Sequence, residues 1–377
     1  MLLLSAPNIA GNEWKYVKDC LDTGWVSSVG AYVNQFEKMV ADFAGAGHGV
    51  AAVNGTNALH IALMLSGVQR DDYVLLPNIT FIASANAIKY CGADPILIDV
   101  HPRSWQMDLD LLEEFLADHT VVNDEEVLIL KKDKRPIRAV MPVHVLGNMC
   151  DMERLMFITR RFHLKVVEDA TEALGSYFKG RHAGSFGEFG CFSFNGNKII
   201  TTGGGGVIVT NDEALAKKAK HLTTQAKCDP FEYIHDEIGY NYRLVNVLAA
   251  IGVAQMEQLP GFIKRKKEID AFYKNALSGV GDICFQEVPE GVEPNCWLFT
   301  FQTEKQKQVL KHLNENEMQS RPFWMPMNQL RMFQNDLYIR REDHSDAVYR
   351  TCLSIPCSTN LKDEEAERVV RFIKDLF

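Results

Sequence analysis

The sequence predicts an α/β protein: a large, mixed and mostly parallel sheet domain followed by a smaller C-terminal α/β domain. Through most of the first 260 residues, apolar strand-like runs alternate with helical patterns, the order that crossover-connected parallel strands require. After Pro260 the pattern changes to a charged helical run, a Pro/Gly-rich stretch and a short apolar segment, which divides the chain into 1–260 and 261–377. A length of 377 residues suits one large and one smaller unit better than a single core. The first ~25 residues are expected to pack on the smaller domain.

Strands are expected over His48 to Val53, Tyr73 to Leu76, Pro95 to Asp99, Ala139 to Val143, Lys165 to Glu168, Cys191 to Phe194 and Val207 to Thr210, where apolar and β-branched residues run together. Between them, Asn57 to Leu65 reads as a helix stopped by Gly67, and Met152 to Phe162 as a helix capped by Asp151. Asn246 to Leu259 is expected to end at Pro260, because proline lacks the N–H that the next helical bond needs. Beyond it, Lys264 to Leu277 reads as a charged helix, Trp297 to Phe301 as a strand and Asp363 to Leu376 as a closing helix.

Composition narrows the function. With 46% hydrophobic and 24% charged residues the chain is of the soluble globular type, and a net charge of -9 argues against a general nucleic-acid binder while leaving room for a local anion pocket. Nine scattered cysteines form no CxxC pair and no zinc-like spacing, so no metal site is expected and a reducing, cytoplasmic setting is the natural reading. The opening Met1-Leu2-Leu3-Leu4 is too short for a signal-peptide core, and no run approaches the ~18 apolar residues of a membrane span.

Chemistry concentrates in a few segments. Lys198 follows Ser193-Phe194-Asn195-Gly196-Asn197 and precedes Gly203 to Gly206, with no carboxylate nearby in sequence. Such surroundings disfavour an ammonium ion and leave an amine able to form a Schiff base, although most lysines in loops are simply solvated. Asn54-Gly55-Thr56-Asn57 marks a strand-to-helix turn whose free N–H groups could bind an anion; N-cap chemistry uses the same residues. His60, one turn further on, reads as packing.

The run Val166-Val167-Glu168-Asp169-Ala170-Thr171-Glu172 puts acids beyond the carboxyl end of a strand, where open α/β sheets collect ligands, or where Asp169 could merely cap a helix. Thr80-Phe81 adds a ring after another strand end, and Gly239-Tyr240-Asn241-Tyr242-Arg243 a polar, aromatic loop. Trp25 and Ser27 lie in a Gly/Ser loop, and Trp324 in the proline-stiffened Arg321-Pro322-Phe323-Trp324-Met325-Pro326; either segment could stack on a ring or simply pack.

In this order the segments resemble the DegT/DnrJ/EryC1/StrS sugar aminotransferases, pyridoxal-phosphate enzymes with the type I, aspartate-aminotransferase-like fold, over essentially the whole chain. The resemblance implies that Lys198 holds the cofactor as a Schiff base and then moves a proton at the substrate carbon. It implies that Asp169 pairs with the pyridine nitrogen, that Phe81 stacks on the pyridine face, and that Gly55, Thr56, Asn57 and Ser193 cradle the phosphate. Asn241 would reach that phosphate from the partner subunit, so a homodimer is expected. Glu172 stands where the wider family commonly has Gln facing the cofactor's O3′, which leaves its protonation open.

The segments Glu168-Asp169-Ala170-Thr171-Glu172-Ala173-Leu174-Gly175-Ser176 and Ser193 to Gly206 look like the LegC and PglE-type branch of legionaminic acid and bacillosamine synthesis. The implied substrates are L-glutamate and a UDP-linked 4-keto-6-deoxy-N-acetylhexosamine, with Trp25, Ser27, Arg243 and Trp324 gripping sugar and diphosphate. A GDP- or dTDP-linked ketosugar is the alternative. A related sugar dehydratase would carry histidine in place of Lys198, and a non-catalytic regulator would need neither Lys198 nor Asp169.

Overall fold

The computed structural model describes residues 1–229 and 231–377. Its main sheet has eight strands in the order His48–Ala52, Gly206–Thr210, Phe189–Ser193, Lys165–Asp169, Ile137–Val140, Tyr73–Pro77, Asp94–Ile98 and Leu337–Ile339. Gly206–Thr210 is antiparallel to both neighbours, and the remaining pairings are parallel. Tyr73–Pro77 and Gly206–Thr210 are buried along their whole length, which explains why such strands read as continuous apolar runs rather than alternating ones.

The seven expected strands are all present, with ends displaced by three residues or fewer. The eighth, Leu337–Ile339, gave no readable signal because it is only three half-buried residues long. It lies beyond residue 261, yet pairs in parallel with Asp94–Ile98, so the C-terminal part of the chain completes the large sheet.

One helix runs from Asn246 to Leu277 with Pro260 inside it, where two helices were expected. Leu259 and Phe262 are buried on either side of the proline, while Pro260 itself is exposed. Packing of these flanks outweighs the local cost of the missing N–H.

A second core gathers Tyr273, Phe299, Phe301, Leu313, Leu353, Ile355, Val369 and Ile373. It lies against a four-stranded antiparallel sheet in the order Cys284–Phe285, Phe299–Gln302, Cys352–Ile355, Arg321–Pro322. The N-terminal residues divide between the two regions. Leu2 exchanges main-chain bonds with Glu317 and Gln319, and Leu4 accepts from Cys357, whereas Glu13–Thr23 packs along the Asn246–Leu277 helix. Among the described residues, no helix is long and apolar enough to cross a membrane.

Candidate active site

Asp169 is the last residue of its strand, and neighbouring main chain holds it there: its N–H donates to Pro142 O at 2.9 Å and its carbonyl accepts from His144 N at 3.1 Å. Its side chain caps no helix. Oδ2 accepts from Ser84 Oγ at 2.6 Å and Oδ1 from Thr171 N at 3.1 Å, in a setting only 3% exposed. A buried carboxylate with donors on both oxygens stays oriented.

Lys198 follows Phe189–Ser193 through a turn closed by its own N–H to Asn195 O at 3.0 Å. Its Nζ lies 3.8 Å from Glu172 Oε1 and 4.0 Å from the centroid of the Trp297 ring. The lysine that has no carboxylate nearby in sequence thus has one beside it in the fold, since Glu172 is distant in sequence but adjacent in space. Burial lowers the pKa of Lys198, with Glu172 and Asp169 opposing the shift. Burial also lifts Glu172 to about 7, against the pull of Lys198 and of the Leu146 N–H, which donates to Oε2 at 2.8 Å. The proton affinities of amine and carboxyl therefore approach one another.

The anion turn is built by close packing. Asn54 caps the helix Gly55–Leu65, and a Cβ on Gly55 would stand 2.9 Å from Ser193 Cβ and 3.1 Å from Thr171 Cγ2. Glycine thus lets the helix start approach the strand that carries Ser193. Gly55 and Thr56 lead the helix, so their N–H groups have no partner in a preceding turn. Asn57 is different: its N–H already donates to Asn54 Oδ1 at 2.8 Å, so only a side-chain contact is left to it at the phosphate.

These elements border a cavity of about 310 Å³. Gly55, Thr56, Ser193 and Lys198 line one part of it; Phe81, Trp297 and Trp324 form aromatic walls. Phe81 is 53% exposed, and its ring lies 6.5 Å from that of Trp324 at 65°. An amine of lowered pKa, a fixed carboxylate, unpaired helical N–H groups and a glycine-cleared cradle fit pyridoxal phosphate. When bound, that cofactor supplies an electron sink for the bonds remade at the substrate carbon.

Other expected residues lie elsewhere. Arg243 is buried in an ion pair with Glu37 and donates to Ala51 O at 3.3 Å, so its guanidinium is engaged in structure rather than free for a diphosphate. Trp25 and Ser27 sit where the loop meets the start of the long helix. The Trp25 carbonyl accepts from Asn246 Nδ2 at 2.7 Å and that of Ser27 from Asn246 N at 2.6 Å, and neither residue lines the cavity. Asn241 is exposed, bridges to Thr224, and is also outside the cavity of its own chain. His60 is packed edge-on against Tyr90 and Tyr240, as expected.

Sequence reasoning missed two residues at the site. Trp297 was read only as the start of a strand, and Ser84 was not singled out at all; neither carries a local signal for its long-range partner.

Comparison with known proteins gives the family. The model of the DegT/DnrJ/EryC1/StrS aminotransferase family matches residues 7–374. The chain is 36% identical to GDP-perosamine synthase of Caulobacter vibrioides over 377 residues, covering 97% of this chain and 96% of that one. It is 35% identical to GDP-perosamine synthase of Escherichia coli O157:H7 over 374 residues, covering 98% and 97%. Among solved structures, DesV of S. venezuelae superposes with a TM-score of 0.87 at 26% identity, covering 97% of this chain and 94% of that one. The chain belongs to the DegT/DnrJ/EryC1/StrS aminotransferase family and is a pyridoxal-phosphate-dependent aminotransferase of the type I fold.

Proposed function

We propose that the enzyme transfers the amino group of L-glutamate to C4 of a nucleotide-linked 4-keto-6-deoxy sugar, releasing 2-oxoglutarate and the 4-amino sugar nucleotide. The observation that carries this reading is the placing of Lys198, between Glu172 and an aromatic wall, at the edge of the 310 Å³ cavity. Lys198 bears the cofactor and moves a proton at the reacting carbon. Asp169, held by Ser84 and the Thr171 N–H, keeps a proton on the pyridine nitrogen. Gly55, Thr56 and Ser193 bind the phosphate, Glu172 faces the phenolic oxygen, and Phe81 stacks on the ring. Trp324 offers a face to the sugar, whose C–H groups suit an aromatic surface.

For the nucleotide, two relatives named for a GDP-linked amino sugar support guanosine. The resemblance to the LegC and PglE-type branch supports a UDP-linked N-acetylhexosamine instead, feeding a bacterial surface glycan. The guanosine reading has the support of aligned chains at 35–36% identity and is the one we favour.

We further propose a homodimer in which Asn241 reaches the phosphate site of the partner. It is supported by the exposure of Asn241 outside its own cavity, beside the exposed apolar side chains of Phe231, Tyr233 and Ile238. The test is an assay of the pyridoxal-phosphate-loaded protein with L-glutamate and GDP-, UDP- and dTDP-linked 4-keto-6-deoxy sugars, read by mass spectrometry. A ketone-to-amine mass change with one nucleotide is the expected result. Glutamate turnover without amination of any of the three would remove the sugar assignment and leave the aminotransferase.

A further inference from the structure

We infer that Trp297 is a working part of the amine site: its indole face holds the ammonium form of Lys198 opposite Glu172 and so governs how tightly that lysine keeps its proton. The inference rests on Lys198 being the cofactor-bearing lysine, as proposed above.

The Lys198 Nζ lies 4.0 Å from the ring centroid, inside the ~6 Å range over which the negative face of an aromatic ring attracts a cation. Trp297 is 2% exposed, so little solvent screens that attraction. The charged groups acting on the amine are Glu172 and, more weakly, Asp169. Both favour the ammonium while burial opposes it, and the ring adds a further favourable contact.

The ring is also held in place more firmly than a wall that merely excluded water would require. Its Nε1 donates to Asn197 O at 2.7 Å, on the residue just before Lys198. Its main-chain N–H donates to Asn295 Oδ1 at 3.0 Å, and its carbonyl accepts from the buried Lys266 Nζ at 2.7 Å. Asn295 in turn donates to Glu172 O at 2.8 Å, so one buried amide links the backbone of the carboxylate to that of the ring. Carboxylate, amine and indole are thus held in a common register by bonds that leave the ring face free for Lys198.

The test replaces Trp297 site-specifically with mono-, di- and trifluorotryptophan, which weakens the negative ring face at nearly constant shape and hydration. In the enzyme loaded with pyridoxamine phosphate, the pH dependence of Lys198 labelling by fluorodinitrobenzene is followed by peptide mass spectrometry. The inflection for Lys198 should fall stepwise along the series, by about one pH unit in total. The acid limb of the kcat profile should move with it while KM for the sugar nucleotide stays within about twofold. An inflection unchanged along the series would overturn the inference. Borohydride reduction of the pyridoxal-phosphate-loaded protein separates the underlying assumption: cofactor fixed on any lysine but Lys198 overturns the assignment of that lysine itself, and the inference with it.

Discussion

Ser84 donates its hydroxyl to Asp169 Oδ2 at 2.6 Å, joining a helix that follows one strand of the sheet to the end of another. Ser84 also contacts Thr80 Oγ1 at 3.1 Å, so its hydroxyl is oriented from both sides. Ser84→Ala should leave cofactor bound and lower kcat about tenfold, the scale of one hydrogen bond to a charged group. Steady-state kinetics beside a cofactor titration checks this, and an unchanged kcat would mean that Thr171 N–H alone orients Asp169.

Lys198→Ala should remove both the Schiff-base absorbance and at least about 10³-fold of turnover, because no other group supplies the amine. Asp169→Asn should still bind cofactor yet lose at least about 10²-fold in kcat, since a neutral amide does not keep the pyridine nitrogen protonated. Absorbance spectra with single-turnover kinetics distinguish the two effects.

Glu172 makes stability depend on pH. Its folded pKa of about 7 lies above the ordinary 4.5, so the folded chain holds the extra proton between those values. The resulting stabilisation is complete below pH 4.5 and is lost as pH rises through 7. Glu172→Gln cannot lose it, and should gain up to about 3 kcal/mol relative to the parent between pH 4.5 and 8. Urea unfolding of both proteins across that range measures the difference.

Arg243→Ala should cost about 3–5 kcal/mol by leaving Glu37 buried without its main ionic partner, although Lys220 Nζ remains 3.4 Å from Oε2. KM for the sugar nucleotide should stay within about twofold. A large rise in KM with stability intact would restore Arg243 as a substrate ligand.

Gly55→Ala would press a methyl against Ser193 and Thr171. We expect a loss of about 1–3 kcal/mol together with weaker cofactor binding, because the helix start must retreat from the strand. Thermal unfolding with and without pyridoxal phosphate separates the two, the second appearing as a smaller ligand-induced rise in Tm.

Seven strands of the large sheet were legible because each is a local apolar run bounded by turns. The Asn54–Thr56 turn and the place of Asp169 at a strand end were legible from local geometry, whereas the roles read for Lys198 and Asp169 rested on the resemblance to the family. Local rules misjudged Pro260, where burial of Leu259 and Phe262 carries the helix through, and could not register the three-residue strand Leu337–Ile339. The tertiary structure alone decided that Glu172 and Trp297 flank the Lys198 amine, that Ser84 holds Asp169, and that Arg243 is taken up by Glu37. Those pairs are separated by 26, 99, 85 and 206 positions. Periodicity reaches only a turn or a strand, whereas such meetings depend on how whole layers pack and on the need of every buried charge for a partner.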